Sequence, residues 1–501
     1  VGRDIQQSGF VRFLRHYWLG WVLATATASF GLTLWIGLQQ SVWFDEAYSI
    51  SLIKQSYSQL VSLTAVDVHP PLYYILLKLW SGIFGTGEIA LRSFSALCSA
   101  AAVGVGLVML RRLFGLRAMV FATPLLILAP FLVRYGFEIR MYALASLIGV
   151  GATYVLVRAT QQAGQQKTRW WILYSVLVAA GMYTLYYLAF VWIAHVVWLL
   201  YRLFAKDTPS NLSVKPLLAY IGSVVLYLPW LPSFLEQFRS PALSGIAQRV
   251  GWEQLTTIFS FTFIYMPQWA LNKWGYALIF VIIVGMVALV VRALQVGGQA
   301  RPYIWLLVFY FTVPIIIMIL GSLPPLRPLF VERYISHFDI AGFLLIAACI
   351  GVVFRNKRTY AVLFTVLLTG VLLYGVCNLQ KAGNYNFQTL SRPQTRQAVE
   401  AMGRQCQPDS VIIAGSPLIY FELIYYLPNC DVRFYSSHPI GPGGGYATIY
   451  QSPKQYYNDE PLQVSTIYMV YSGQKPSLSP TFLKTSEQSF KEYRLAIFKQ
   501  Q

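Results

Sequence analysis

The chain has 501 residues, with 38 lysines and arginines against 19 aspartates and glutamates, a formal charge of +19. Only 11% of the residues are charged while 56% are hydrophobic and 16% aromatic, which excludes a disordered chain, a coiled coil and a disulfide-knotted scaffold. So little polar residue cannot cover a water-soluble fold, and the basic residues form no stripe for nucleic acid, so the composition is that of a polytopic membrane protein.

A helix needs about 20 mostly apolar residues to cross about 30 Å of hydrocarbon. Runs that qualify or nearly do lie near 17–38, 89–110, 118–133, 141–158, 170–187, 188–203, 216–231, 275–293, 303–321, 336–354 and 359–378, giving about eleven expected transmembrane helices. The first is long and lacks a following small-residue cleavage site, so it reads as a span rather than a cleaved signal peptide. Residues 70–84 are short and carry Lys78; they read as a helix in the outer interface. With a cytoplasmic N-terminus, the inner connections hold 17 basic residues and the outer ones nine. The positive charge is thus a topology signal spread over six short loops.

Composition changes at residue 379. Residues 1–378 read as the transmembrane domain, with an outer loop 39–88 carrying interfacial helices, and 379–501 as a small α/β domain outside the membrane. The latter has a helical pattern from about Arg396 to Gln405, strand-like runs at Val411–Ala414 and Thr466–Tyr471, and the turn-rich run Gly441-Pro-Gly-Gly-Gly445. Cys406 and Cys430 both fall there and would pair in an oxidising compartment.

Nine of the eleven carboxylates in residues 1–378 fall in or near outer connections. Ionisable groups at membrane depth are costly, so such a cluster is a functional hypothesis. Asp45 and Glu46 stand directly after the first span, wedged between Trp43, Phe44 and Tyr48. Adjacent acids in an apolar setting suit a general base acting on a hydroxyl or amine; they are equally suited to hold a divalent cation against a phosphate. Next come Asp67 and His69, the histidine placed to donate to a phosphate oxygen or to cap a helix started by Pro70-Pro71. Glu88 and Arg92, four apart, read as an ion pair fixing their helix. Arg134, Glu138 and Arg140 then put two guanidiniums and a carboxylate at the outer mouth of the third and fourth spans. Guanidinium suits bidentate phosphate binding, with Glu138 to hold an arginine in place. Arg327, Glu332, Arg333, Tyr334 and His337 precede the tenth span. Together these describe a polar cavity with acids for chemistry and arginines for a phosphate.

Four blocks carry a family resemblance: WFDEAYSI from Trp43, DVHPPLYYILLKLW from Asp67, FGTGEIALRSFSAL from Phe84 and RYGFEIRMYAL from Arg134. In order and spacing they resemble the GT-C membrane glycosyltransferases, the bacterial group allied to protein O-mannosyltransferases and lipid A aminoarabinose transferases. The similarity continues more loosely through Phe330-Val-Glu-Arg-Tyr334. The resemblance implies a polyprenyl-phosphate sugar as donor, a lipid, glycan or protein as acceptor, and a place in the bacterial cytoplasmic membrane. It implies Asp45 as the base in an inverting transfer, with Arg333 and Arg134 or Arg140 at the donor phosphate. Where relatives often carry a histidine, in Tyr183-Thr-Leu-Tyr-Tyr187, this chain has Leu185, which weakens the carry-over of metal or acceptor chemistry there.

Two other classes compete. A flippase or secondary transporter would place charges near the midplane on broken helices in related halves, whereas here the acids lie at outer ends of spans and no halves match. An O-antigen-type polymerase or ligase would keep the lipid-linked donor, and the adjacent acids of the first loop argue against it.

Overall fold

The computed structural model describes residues 16–161, 164–205, 214–239, 247–326, 328–382, 394–403, 406–441, 443–473 and 475–501, with 164–167 as backbone only. From the N-terminus, α1 (Trp18–Leu38) precedes three short helices, α2 (Phe44–Ile53), α3 (Tyr57–Val66) and α4 (Leu72–Phe84). Ser56 starts α3 by accepting the Gln59 N–H, and Gln59 returns the bond to the Ser56 N–H, a reciprocal cap that satisfies two orphan donors. α4, with 13 residues, is too short to span. α5 (Glu88–Phe114) runs 27 residues, about 40 Å at the helical rise.

The next apolar run is broken. α6 (Leu116–Ile127) and α7 (Pro130–Phe137) meet at 61°, because Pro130 lacks an N–H and forces Ala129 into extended backbone. Then follow α8 (Tyr142–Gln161), α9 (Gly164–Met182), α10 (Leu188–Phe204), α11 (Lys215–Tyr227) and α12 (Leu231–Arg239). α13 (Trp252–Phe263), α14 (Lys273–Val296), α15 (Arg301–Gly321), α16 (Ser336–Val353) and α17 (Arg358–Ala382) complete the apolar series. Among the described residues eight helices are long and apolar enough to cross a membrane, or nine with the bent α6–α7 pair taken as one. The chain is therefore an integral membrane protein. The two other expected spans are helical, but α10 has only 17 residues and α9 begins in the polar run Gly164-Gln-Gln-Lys-Thr-Arg169.

Packing divides the chain into two compact units. The helical unit draws its described residues from 1–35, 95–232 and 244–379. Its centre is α16, whose apolar window is 94% buried, with α6, α8, α14 and α15 against it. Gly351 permits the approach of α6, since a Cβ there would lie 2.9 Å from the Ala118 Cβ; small residues let helices in apolar surroundings approach closely.

The mixed unit draws on 36–94, 233–243 and 380–501. The sequence division at residue 379 follows composition; the packing groups the segment 36–94 with the C-terminal residues. α18 (Thr395–Ala401) falls within the expected helical pattern, of which residues 404–405 lie outside the described residues. β1 (Ser410–Ala414), α19 (Pro417–Tyr426), β2 (Val432–Tyr435), β3 (Gln455–Tyr456), β4 (Thr466–Tyr471), β5 (Phe482–Phe490) and β6 (Tyr493–Gln500) follow. The sheet order is β3-β2-β1-β4-β6-β5, parallel from β3 to β4 and antiparallel thereafter. β1 sits centrally and is apolar throughout its buried run Val411–Ala414, as a strand covered on both faces must be. The edge strand β5 reads LKTSEQS and is solvated, which keeps it from pairing with other chains. Cys406 and Cys430 form a disulfide, and α19 lies against both β2 and α2.

Candidate active site

Asp45 and Glu46 occupy the first turn of α2, where the helix terminus favours negative charge. Their surroundings differ. Glu46 is fully buried and grips Arg92 with both oxygens, Nη2 to Oε2 at 2.7 Å and Nε to Oε1 at 3.2 Å. Glu46 Oε2 also accepts the Trp43 N–H at 3.4 Å. Arg92 donates further to the carbonyls of Gly37, Gln40 and Ser41 and to Glu88 at 3.2 Å. The expected Glu88–Arg92 pair is thus present, inside a wider network. Arg396 also pairs with Glu88, and the Tyr426 hydroxyl donates to Glu88 Oε1 at 3.0 Å. Arg396 adds bonds to the carbonyls of Leu38 and Gln40. Each guanidinium offers five donors in a rigid fork, and two of them stitch residues 37–46 into one conformation.

Asp45 is 8% exposed. Around it Phe44, Tyr48, Phe421 and Tyr446 form an aromatic cluster with ring centroids 5.6–6.4 Å apart. Burial raises the Tyr446 phenol above its ordinary range, and the Asp45 charge pushes it the same way. Asp67 is buried and accepts the Gly445 N–H at 3.1 Å. Gly445 has φ +87°, and a Cβ there would lie 2.9 Å from the Phe44 ring, so both the backbone and the space require glycine. The turn-rich run seen in the sequence, whose Pro442 lies outside the described residues, therefore ends against α2. His69 is buried in the bend between α3 and α4. α4 follows directly, with Pro71 at its N-cap.

The arginines gather in the helical unit. Arg134 Nη1 meets Glu138 Oε2 at 2.7 Å, both groups buried. The Tyr265 hydroxyl hydrogen-bonds with Arg134; burial pushes this phenol up to about 12, with Arg134 opposing the shift. Arg140 is buried, while Arg333 and Tyr334 stand on the 3-10 turn Glu332–Ile335 that leads into α16. Arg140 and Arg333 both act electrostatically on Tyr142, and Arg134, Glu138 and Glu332 on Tyr135. The rings of Tyr135 and Tyr142 are 5.0 Å apart, those of Tyr142 and Tyr334 6.2 Å, and those of Tyr334 and Tyr187 4.5 Å. Three arginines and two glutamates, from stretches nearly 200 residues apart, thus share one tyrosine cluster. His337 Nε2 lies 3.2 Å from the Tyr187 carbonyl; Arg327 lies outside the described residues.

Among the described residues no three His, Cys, Asp or Glu side chains gather to hold a metal ion. The sequence left a divalent cation open at Asp45 and Glu46. Glu46 has both oxygens on Arg92.

The architecture is that of the GT-C membrane glycosyltransferases: a bundle of apolar helices with a small C-terminal sheet domain. The fold is shared with ArnT from Cupriavidus metallidurans in its apo state, at 13% identity and a TM-score of 0.59, over 95% of this chain and 98% of that one. The same protein bound to undecaprenyl phosphate gives 14% identity and a TM-score of 0.60, over the same shares of the two chains. The archaeal oligosaccharyltransferase AglB from Archaeoglobus fulgidus, in complex with an inhibitory peptide and a dolichol-phosphate, matches at 13% identity and a TM-score of 0.50, over 92% of this chain and 70% of that one. By sequence, residues 68–232 match the family described as dolichyl-phosphate-mannose-protein mannosyltransferase. No curated relative matches at sequence level. The resemblance expected from the four blocks is borne out.

Sequence reasoning missed Arg396, Tyr426 and Tyr265, and the partnership of Arg92 with Glu46. Each contact joins residues 46 or more positions apart, and no local pattern announces it.

Proposed function

We propose that the protein transfers a single sugar from a polyprenyl-phosphate donor to an acceptor on the outer face of the bacterial cytoplasmic membrane, with its N-terminus cytoplasmic. The observation that carries this reading is the division of labour between adjacent acids on α2. Glu46 is neutralised and fixed by Arg92, while Asp45 stands on the same turn at the aromatic cluster. A carboxylate held in place beside a committed neighbour is suited to general base work. In the proposed step the acceptor's O–H or N–H proton passes to the Asp45 carboxylate. The acceptor atom bonds to the anomeric carbon with inversion, and the bond from that carbon to the phosphate oxygen breaks. Polyprenyl phosphate leaves with the electron pair.

Cations are the natural partners of that leaving charge. Arg134, Arg140 and Arg333 are the candidates in the helical unit, with Glu138 orienting Arg134, and with Glu332 and Tyr334 lining the same cluster. Asp67 and His69 support the first outer segment, His69 also being suited to donate to a phosphate oxygen. The relative solved with undecaprenyl phosphate supports a lipid-phosphate carrier as the donor's leaving half. Lipid, glycan and protein acceptors are all compatible with an aromatic cluster beside a base, since sugars and apolar chains both stack on such rings.

The test uses purified protein in lipid with the radiolabelled polyprenyl-phosphate sugars of the native membranes. The wild type should move label from lipid to an acceptor, and Asp45→Asn should slow this by about 10²–10⁴-fold while still binding donor. Robust transfer by Asp45→Asn would remove Asp45 as base. Label that changes leaflet while remaining on lipid would point to a flippase instead.

A further inference from the structure

α19 reaches the segment that carries Asp45 through polar and apolar contacts. The Tyr426 hydroxyl accepts the Val42 N–H at 2.8 Å. The backbone of Phe44 hydrogen-bonds to the Glu422 carboxylate. Phe421 sets its ring 5.6 Å from Phe44 and 5.7 Å from Tyr48. The first N–H groups of a helix have no partner within it. At the start of α2, Glu46 takes that of Trp43 and Glu422 that of Phe44.

Glu422 is an expensive residue to use for this. It is 2% exposed, and a buried carboxylate is costly unless its oxygens are satisfied. They are satisfied by donors from three elements: the Thr395 hydroxyl of α18, the Tyr493 hydroxyl of β6 at 3.2 Å to both oxygens, and the backbone of α2. An apolar side chain would fill the same volume at less cost. What it would not do is hold the backbone of Phe44, one residue before Asp45.

We infer that Glu422, helped by Tyr426, is a positioning residue for the transfer reaction: α19 clamps the backbone of residues 42–44 and so sets the direction of the Asp45 carboxylate. This rests on the reading of Asp45 as the base. Misplacing a reacting group by about 1 Å costs on the order of 100-fold in rate, so a clamp on the residue before the base is worth the burial.

Glu422→Leu keeps the volume and removes the acceptor, whereas Glu422→Gln keeps an acceptor oxygen. With the native lipid-linked sugar pool, Glu422→Leu should lower kcat by about 10- to 100-fold at an unchanged half-saturating donor concentration. Glu422→Gln should recover most of that loss. Amide exchange of the peptide covering 41–47 should speed up in the leucine variant while β1 and β4 stay protected. Wild-type kcat in a folded leucine variant, a loss confined to donor affinity, or unchanged exchange in 41–47 would each overturn the clamp. If the leucine variant does not fold, Tyr426→Phe, which removes the hydroxyl accepting the Val42 N–H, is judged by the same three readouts. Should the wild type transfer no sugar, the base assignment falls and the positioning role falls with it. The exchange data still decide whether α19 holds the segment.

Discussion

The acidic and the basic residues are held in different ways. In the mixed unit, Glu46 and Glu88 are bound by Arg92, and Glu88 also by Arg396 and Tyr426, more than 300 residues further along the chain. The carbonyls of residues 37–41 complete the set. In the helical unit Arg134 pairs with Glu138, four residues on in one short stretch, and Arg140, Arg333 and Glu332 gather around tyrosine rings. The first arrangement fixes a backbone as well as a charge. The second places guanidiniums among aromatic rings, which under the proposed function would meet the donor phosphate. A base must be aimed, whereas a phosphate can be met by several cations.

The largest expected effect breaks the acidic network. Arg92→Met leaves Glu46 buried without its bidentate partner, and removing one member of a buried pair costs about 3–5 kcal/mol. Denaturation of the purified variant should show a loss of that size, or no folded protein at all. If stability is unchanged, Glu46 does not depend on Arg92. An intermediate effect is expected from the arginine cluster. Arg333→Ala removes a charge-assisted contact of about 1.5–3 kcal/mol and should weaken donor binding roughly 10- to 100-fold with little change in thermal midpoint. Unaltered affinity would assign the phosphate to Arg134 and Arg140.

The last effect is one of pH dependence and concerns Glu422. Burial pushes its carboxyl up to about 8, against hydrogen bonds from Thr395, Tyr493 and the Phe44 backbone and with added repulsion from Glu492. Because the folded value lies above the ordinary carboxylate value, its contribution is complete below pH of about 4.5 and is lost as pH rises through about 8. The slope is at most about tenfold in the folding equilibrium per pH unit. Melting curves between pH 5 and 8 should therefore fall more steeply with pH for the wild type than for Glu422→Gln. Parallel curves would show that Glu422 does not titrate in that window.

Local features were legible before the fold was known. α5, α14, α15 and α17 appear where hydropathy puts them, β1 and β4 where β-branched and aromatic runs do, and Glu88 and Arg92 meet because four residues make one helical turn. The four blocks between Trp43 and Leu144 led to the glycosyltransferase fold. Hydropathy does not show that a proline bends the chain at α6–α7, or where the helices α9 and α10 stop.

By itself, then, the sequence determined that this is a membrane protein with acids after its first span and arginines before its fourth and tenth, since burial in lipid, helical period and charge cost act over a few neighbouring residues. The tertiary structure alone decided that Glu46 belongs to Arg92, that Glu88 is shared with Arg396 and Tyr426, and that Glu422 holds the start of α2. Those partners are chosen by which elements the packing of α19 and the sheet brings to residues 37–46. A guanidinium or carboxylate carries no mark along the chain of the partner it will meet.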